Sequence, residues 1–201
     1  MINTIIFDLG AVLIDWNPQH LYRKLMADDE QRQYFLDNIC TSDWNEEQDA
    51  GRSLADGTEF LVSKHPEHEE NIRAFYSRWD EMLAGPIQGT VDIFKALKES
   101  GKYKIYALSN WSAETFEIAQ REFDFLNWFD GMVVSGVEKI RKPDPAFYNL
   151  LLTRYQVKPE EAVFIDDNYR NILAAEALGI KSVHFTSAED LSSALKKLSV
   201  L

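Results

Sequence analysis

The stretch IIFDLGAV, Ile5–Val12, decides the fold of this 201-residue chain. Three apolar residues lead into Asp8, and Gly10 follows two positions later. A short and uniformly apolar run is typical of a strand that is covered on both faces of a parallel sheet. Because ligands bind beyond the carboxyl ends of such strands, the stretch predicts a functional carboxylate at the end of the first strand.

Further apolar segments alternate with helical patterns along the chain. We expect strands at Thr4–Phe7, Lys104–Leu108, Met132–Val134, Ala162–Ile165 and Ser182–Phe185. Helix signals lie between them: Ser112, Asp144 before Pro145, and Ser187 suit N-caps, and Gly179 suits the end of a helix that begins at Asn171. This alternation predicts an α/β fold with a Rossmann-like parallel sheet.

Residues 16–84 interrupt the alternation, because they carry helical patterns and no convincing strand. Gly85-Pro86 marks the return to alternating elements. We therefore expect an α/β core from residues 1–15 and 85–201, with an inserted all-helical domain at residues 16–84. The insertion has 15 acidic and 7 basic residues.

Composition excludes several classes of partner. The net charge is −12 and the pI is about 4.8, which disfavours binding to nucleic acid or anionic lipid. Cys40 is the only cysteine, so no intrachain disulfide forms. The sequence contains neither an apolar run of membrane-spanning length nor a signal-peptide pattern. We expect a cytoplasmic monomer without nucleic-acid or membrane partners.

Polar side chains stand where successive strands end. Asp8, the pair Ser109-Asn110 and the pair Asp166-Asp167 directly follow predicted strands, and Lys142 lies in RKPDPAFY after another. Each residue alone suits a cap, a turn or a solvated surface. Together, at the same edge of one sheet, they predict a shared functional crevice.

Four stretches, FDLGAVLID, LSNWS, RKPDPAFY and FIDDN, occur in this order. They resemble the signature motifs of the haloacid dehalogenase superfamily, whose members are mostly phosphatases, and the insertion is similar to the superfamily's helical cap. Within it, the chain is similar to small bacterial phosphatases with a D-L-G first motif, one of which acts on a hexose 1-phosphate. The resemblance covers nearly the whole chain and implies a phosphatase for a small phosphorylated metabolite.

The resemblance implies a role for each motif residue. Asp8 would attack phosphorus and form an aspartyl-phosphate. Ser109 and the backbone N–H of Asn110 would hydrogen-bond the phosphate oxygens. Lys142 would neutralise charge on the nucleophile and the transferring group.

The same motifs imply Mg²⁺ as the cofactor, since this ion takes oxygen ligands and shares them with a substrate phosphate. Asp8, the backbone carbonyl of Gly10 and Asp167 would hold it. Asp166 would be either a further ligand or an acceptor behind the ligands.

Gly10 stands where most phosphatases of the superfamily carry a second aspartate, which protonates the leaving oxygen. Three explanations are open: a slow enzyme, a substrate whose leaving group needs little protonation, or a substitute acid. The substitute acids on this chain are Asp15, Glu46, Glu47 and Asp49. We favour the second explanation, with an anomeric or acyl phosphate as the substrate, and the D-L-G resemblance implies a sugar 1-phosphate such as a hexose 1-phosphate.

The polar stretch Thr41–Leu54 in the insertion suits a loop that contacts the non-phosphate part of a substrate. Trp44 could stack on a sugar face, and Asp49 and Arg52 could bind hydroxyl groups. The alternative for Trp44 is packing between helices of the insertion.

Other functions compete with a phosphatase. A 2-haloacid dehalogenase would carry an aromatic residue in place of Gly10 and would lack the aspartate at Asp167. A non-catalytic, phosphometabolite-binding relative would keep the crevice without turnover. A receiver-type signalling domain would place its phosphoacceptor after a later strand and would have no large helical insertion.

Overall fold

The computed structural model describes residues 1–201 and contains seven strands. They are β1 (Thr4–Phe7), β2 (Ile14–Trp16), β3 (Leu83–Pro86), β4 (Lys104–Ser109), β5 (Gly131–Val134), β6 (Ala162–Asp166) and β7 (Lys181–His184). Five of them form a parallel sheet in the order β5-β4-β1-β6-β7. The predicted parallel sheet is therefore confirmed, with strand ends displaced by one residue at most.

Helices cover both faces of this sheet and fill the insertion. They are α1 (Pro18–Leu25), α2 (Asp29–Asn38), α3 (Ser42–Asp49), α4 (Leu54–Lys64), α5 (Glu69–Ser77), α6 (Gln88–Glu99), α7 (Ala113–Glu122), α8 (Ser135–Glu138), α9 (Pro145–Arg154), α10 (Tyr169–Ala177) and α11 (Ala188–Lys197). Short 3-10 helices span Pro66–His68, Trp79–Met82, Asp124–Trp128 and Pro159–Glu161. None of the helices has both the length and the apolar character needed to cross a membrane.

Side-chain caps set several helix starts, as the sequence predicts. Ser112, Asp144 and Ser187 each accept a hydrogen bond from a backbone N–H in the first turn that follows. The helix expected from Asn171 begins earlier, at Tyr169, because the Asn168 side chain accepts from the N–H of Arg170.

The uniformly apolar β1 is explained by two cores, one on each face of the sheet. Ile5 and Phe7 belong to the larger apolar cluster, whereas Ile6 belongs to the smaller one on the opposite face. The larger cluster also includes Tyr22 and Phe75 from the insertion. The helical segment and one face of the sheet thus share a continuous core.

A two-stranded antiparallel ribbon lies where the chain enters and leaves the helical segment. It pairs β2 with β3 and contains an irregularity between Asp15 and Trp16. The expectation of no strand between residues 16 and 84 is therefore wrong at both ends. Strands of three and four residues are too short to show an alternating pattern, and Gly85 adopts a positive φ of 114° that favours glycine.

Candidate functional site

The carboxyl ends of β1, β4 and β6 bring together side chains that are far apart in the chain. Asp8 directly follows β1, Ser109 ends β4 and Asp166 ends β6. The Ser109 hydroxyl donates to Asp8 Oδ1 over 2.9 Å, and the backbone N–H of Leu9 donates to the same oxygen over 2.8 Å. The Asp8 carboxylate is therefore fixed in one orientation at this edge of the sheet.

Lys142 is buried between two carboxylates. Its Nζ lies 2.9 Å from Asp8 Oδ2 and 2.6 Å from Asp166 Oδ2. The Asn110 side chain holds the lysine backbone from both sides, because it accepts from the Lys142 N–H and donates to the Lys142 carbonyl. The sequence predicted Asn110 beside the phosphate, and the structure shows its side chain positioning Lys142.

These contacts shift the pKa values of the charged groups. Burial disfavours the charged form of Lys142, but the charges of Asp166 and Asp8 outweigh this effect and raise its pKa above the usual value. Burial, together with the charges of Asp166 and Asp167, raises the pKa of Asp8 to about 7 against the lowering effect of Lys142. The site therefore holds more negative charge than its one lysine neutralises.

Asp166 has every acceptor position of its carboxylate engaged. Oδ1 accepts from the N–H of Asn168 and from Nδ2 of Asn171, over 2.8 Å and 3.0 Å. Oδ2 accepts from Lys142 and, over 3.1 Å, from Asn171. The sequence did not indicate that Asn171 belongs to the site, because no pattern in a helical segment shows that a particular side-chain amide faces the end of a strand.

Asp8, Asp166 and Asp167 form an acidic group whose ligand oxygens all lie within 4.8 Å of one another. Asp8 and Asp166 are buried, whereas Asp167 is exposed. Asp8, Lys142 and Asp167 line an open depression that we call the acidic cleft, together with Gly10 and Asp49. Carboxylates and backbone carbonyls are the ligands that Mg²⁺ takes in proteins.

A second space adjoins the acidic cleft through Gly10, Asp49 and Asn110, and we call it the aromatic cavity. Its empty space of about 360 Å³ includes volume that is open to solvent. Its walls include Trp16, Asn45, Tyr76, Trp79, Trp111, Ser112 and Thr115. The indole N–H groups of Trp16 and Trp111 are buried without a hydrogen-bond partner.

Ion pairs from α3 and a hydrogen bond from the start of α4 hold the insertion against the sheet side of the site. Glu46 pairs with Arg141, and its Oε1 lies 3.1 Å from Nη2 of Arg170. The backbone N–H of Leu54 donates to Glu114 over 2.9 Å. These contacts could not be predicted from the sequence, because their partners lie in separate parts of the chain.

Two residues expected to contact the substrate do not line the cleft or the cavity. Trp44 is buried among aromatic side chains, and its indole N–H donates to the Gly57 carbonyl over 3.0 Å. Arg52 donates to the Gln48 side chain and the Trp44 carbonyl. Part of the expected loop is helix α3, which is capped by Thr41. Of the three residues expected to contact the substrate, only Asp49 lines the aromatic cavity.

Comparison with known proteins now identifies the family. The model of the haloacid dehalogenase-like hydrolases matches residues 2–179. The chain belongs to the haloacid dehalogenase-like hydrolase family. It is therefore an enzyme of the hydrolase class, and the resemblance of its motifs is confirmed.

Relatives of this haloacid dehalogenase-like hydrolase include two named phosphatases. The sesquiterpene phosphatase astK of Aspergillus oryzae is 28% identical over 195 residues, which cover 96% of this chain and 94% of the relative. The phosphorylated carbohydrates phosphatase of Thermotoga maritima is 29% identical, with 90% of this chain and 83% of the relative covered.

A solved structure of a haloacid dehalogenase family enzyme from Bacteroides thetaiotaomicron has the same fold. It aligns with a TM-score of 0.71 at 20% identity and covers 96% of this chain and 99% of its own. That structure is an aspartate-to-alanine mutant in complex with magnesium and inorganic phosphate.

Proposed function

We propose that this hydrolase is a Mg²⁺-dependent phosphatase that cleaves a small phosphomonoester through an aspartyl-phosphate on Asp8. One observation carries the proposal: Asp8, Ser109, Lys142 and Asp167 converge at one edge of the sheet, where the acidic cleft adjoins the aromatic cavity. Named phosphatases among the relatives support the same reaction class.

Asp8 is the proposed nucleophile. One of its oxygens attacks phosphorus while the bond to the leaving oxygen breaks. Ser109 and Leu9 hold Oδ1 by hydrogen bonds, so little reorganisation precedes the attack. Lys142 offsets negative charge where the carboxylate and the phosphoryl group approach each other.

The acidic group fits Mg²⁺, because it offers clustered oxygen ligands that carry more charge than Lys142 balances. Asp8, Asp167 and the Gly10 carbonyl are the proposed ligands. Asp166 is assigned a supporting role, since its acceptor positions are engaged by Lys142, Asn168 and Asn171. When bound, the ion supplies positive charge for the phosphate oxygens.

The aromatic cavity is the proposed site of the leaving group. Two of its wall residues, Trp16 and Trp111, carry buried indole N–H groups without a partner in the protein, and acceptor oxygens would stabilise them because a buried donor without a partner is costly. A hydroxylated sugar supplies such oxygens, whereas a hydrocarbon does not. This favours the substrate class named for the Thermotoga relative over that named for the Aspergillus one.

Among sugar phosphates we propose a hexose 1-phosphate. The cavity begins at Gly10, next to the cleft that contains Asp8. In a 1-phosphate the sugar ring lies one oxygen from phosphorus, so it reaches the cavity without a spacer. We also propose that residues 16–84 act as a cap domain over a core of residues 1–15 and 85–201, with α3 closing the cavity.

The test is phosphate release from matched hexose 1- and 6-phosphates, with and without Mg²⁺. We expect Mg²⁺-dependent turnover with a higher kcat/KM for the 1-phosphate, and no turnover by Asp8→Asn. A preference for the 6-phosphate would contradict the hexose assignment. Equal activity of Asp8→Asn would contradict the mechanism.

A further inference from the structure

The glycine at position 10 leaves the proposed phosphatase without a proton donor beside its nucleophile. A leaving alkoxide requires a proton, and general acid catalysis is worth about 10²–10⁴-fold. Four acids were named above as substitutes for the missing aspartate: Asp15, Glu46, Glu47 and Asp49. Their positions and partners in the structure distinguish between them.

Three of these acids are engaged elsewhere. Asp15 pairs with His20 over 3.0 Å and lines neither the cleft nor the cavity. Glu46 also lines the acidic cleft, but its carboxylate pairs with Arg141 and Arg170. Glu47 is more than half exposed, and it faces Arg141.

Asp49 differs from them in position and partners. It lines the acidic cleft beside Asp8 and also the aromatic cavity, so it stands at the junction where a leaving oxygen would lie. No arginine or lysine forms an ion pair with it, and Asn45 donates to its Oδ2 over 3.2 Å. Burial, with a smaller effect from Glu46, raises its pKa to about 7.

We propose that Asp49 is the general acid–base residue of this enzyme, supplied by helix α3 instead of by the position of Gly10. The proposal rests on the proposed phosphatase function. As Asp8 forms its bond to phosphorus, the bond to the leaving oxygen breaks and that oxygen takes the Asp49 proton. A water molecule then attacks phosphorus and gives a proton to Asp49, and the bond to Asp8 breaks to release phosphate.

The position of Asp49 couples acid catalysis to the seating of α3. The same helix carries Glu46, whose contacts with Arg141 and Arg170 hold it to the core. The proton donor is therefore in place only when the helical segment is closed over the cleft. Hydrolysis of aryl phosphates with acidic leaving groups, such as dinitrophenol, does not depend on the proton of Asp49.

The experiment compares Asp49→Asn with wild type on a series of phosphate esters, from 2,4-dinitrophenyl phosphate to simple alkyl phosphates, at saturating Mg²⁺. We expect a loss in kcat/KM of about 10²-fold or more for alkyl esters and less than about threefold for the dinitrophenyl ester. Asp43→Asn, an exposed position on the same helix, is the matched control. A uniform loss across the series, or no loss, would overturn the proposal.

A second variant distinguishes loss of the proton donor from misfolding of Asp49→Asn. A side chain at position 10 would meet no atom within 4 Å of its Cβ, so Gly10→Asp has room. Added to Asp49→Asn, it is expected to recover alkyl ester turnover more than aryl ester turnover. If wild type itself releases no phosphate from any ester, the proposed function fails, which is distinct from failure at Asp49.

Discussion

The Nζ atom of Lys142 lies 2.9 Å from Asp8 Oδ2 and 2.6 Å from Asp166 Oδ2, with all three residues buried. A lone buried charge is costly, and breaking a buried pair typically costs about 3–5 kcal/mol. The lysine thus holds the nucleophile and the supporting carboxylate together, so folding and reactivity depend on the same contacts.

We expect Lys142→Met to lower kcat/KM for all phosphate esters by about 10²–10³-fold, the loss typical of a removed charge-stabilising donor. It should also lower the melting temperature, because Asp8 and Asp166 lose their cation. Lys102→Met, at an exposed position away from the cleft, is the control for charge removal. Wild-type activity in Lys142→Met would refute the role assigned to this residue.

Asp167 provides the test of the metal site. Its carboxylate belongs to the acidic group but has no lysine or arginine partner. We expect Asp167→Asn to raise the Mg²⁺ concentration needed for half-maximal activity at least tenfold, and EDTA to abolish wild-type turnover. Titration calorimetry with Mg²⁺ alone gives an activity-independent measure, and unchanged affinity in the variant would rule out ligation by Asp167.

Trp111 and Trp44 form a matched pair of indoles, one in the cavity wall and one in the helical core. Trp111→Phe removes the unpartnered N–H and keeps an aromatic side chain. We expect it to raise KM for a hexose 1-phosphate by about 2–10-fold, the effect of one hydrogen bond, with little change for 4-nitrophenyl phosphate.

In Trp44→Phe the N–H that bonds the Gly57 carbonyl is lost. The free energy of unfolding should fall by about 1 kcal/mol, whereas KM should not change. If Trp44→Phe raised KM and Trp111→Phe did not, the aromatic cavity would not be the substrate site.

Stability should depend on the ionisation of Asp49, which is partly buried. Its pKa rises from 3.8 to about 7 on folding, so between these values the folded chain binds a proton that the unfolded chain lacks. Stability therefore falls as pH rises through this window. We expect Asp49→Asn to raise the melting temperature at pH 8 and to change it little at pH 4, as measured by calorimetry. Equal shifts at both pH values would show that the carboxyl is not desolvated.

The sheet and its edge could be predicted from sequence because their geometry is local and regular. In a parallel sheet the carboxyl ends of all strands meet at one edge. The convergence of Asp8, Ser109 and Asp166 could therefore be predicted from their positions after apolar runs. The β2–β3 ribbon was not predicted, since its strands are too short to show an alternation of apolar and polar residues.

The wall of the aromatic cavity could not be predicted in the same way. Trp44 and Asp49 lie five residues apart on α3, or about 140° around the helix. Which of them faces the cleft depends on how the helix is rotated, and the ion pair of Glu46 with Arg141 sets that rotation through space. A single sequence does not contain that contact.

The most direct measurement traps the intermediate. Wild-type enzyme and Asp8→Asn are mixed with 4-nitrophenyl phosphate and Mg²⁺, quenched in acid within milliseconds and reduced with borohydride, which converts an aspartyl-phosphate to homoserine. We expect peptide mass spectrometry to find homoserine at position 8 in wild type and nowhere in the variant. Rapid turnover with an unmodified Asp8, or with the modification at another carboxylate, would contradict the account.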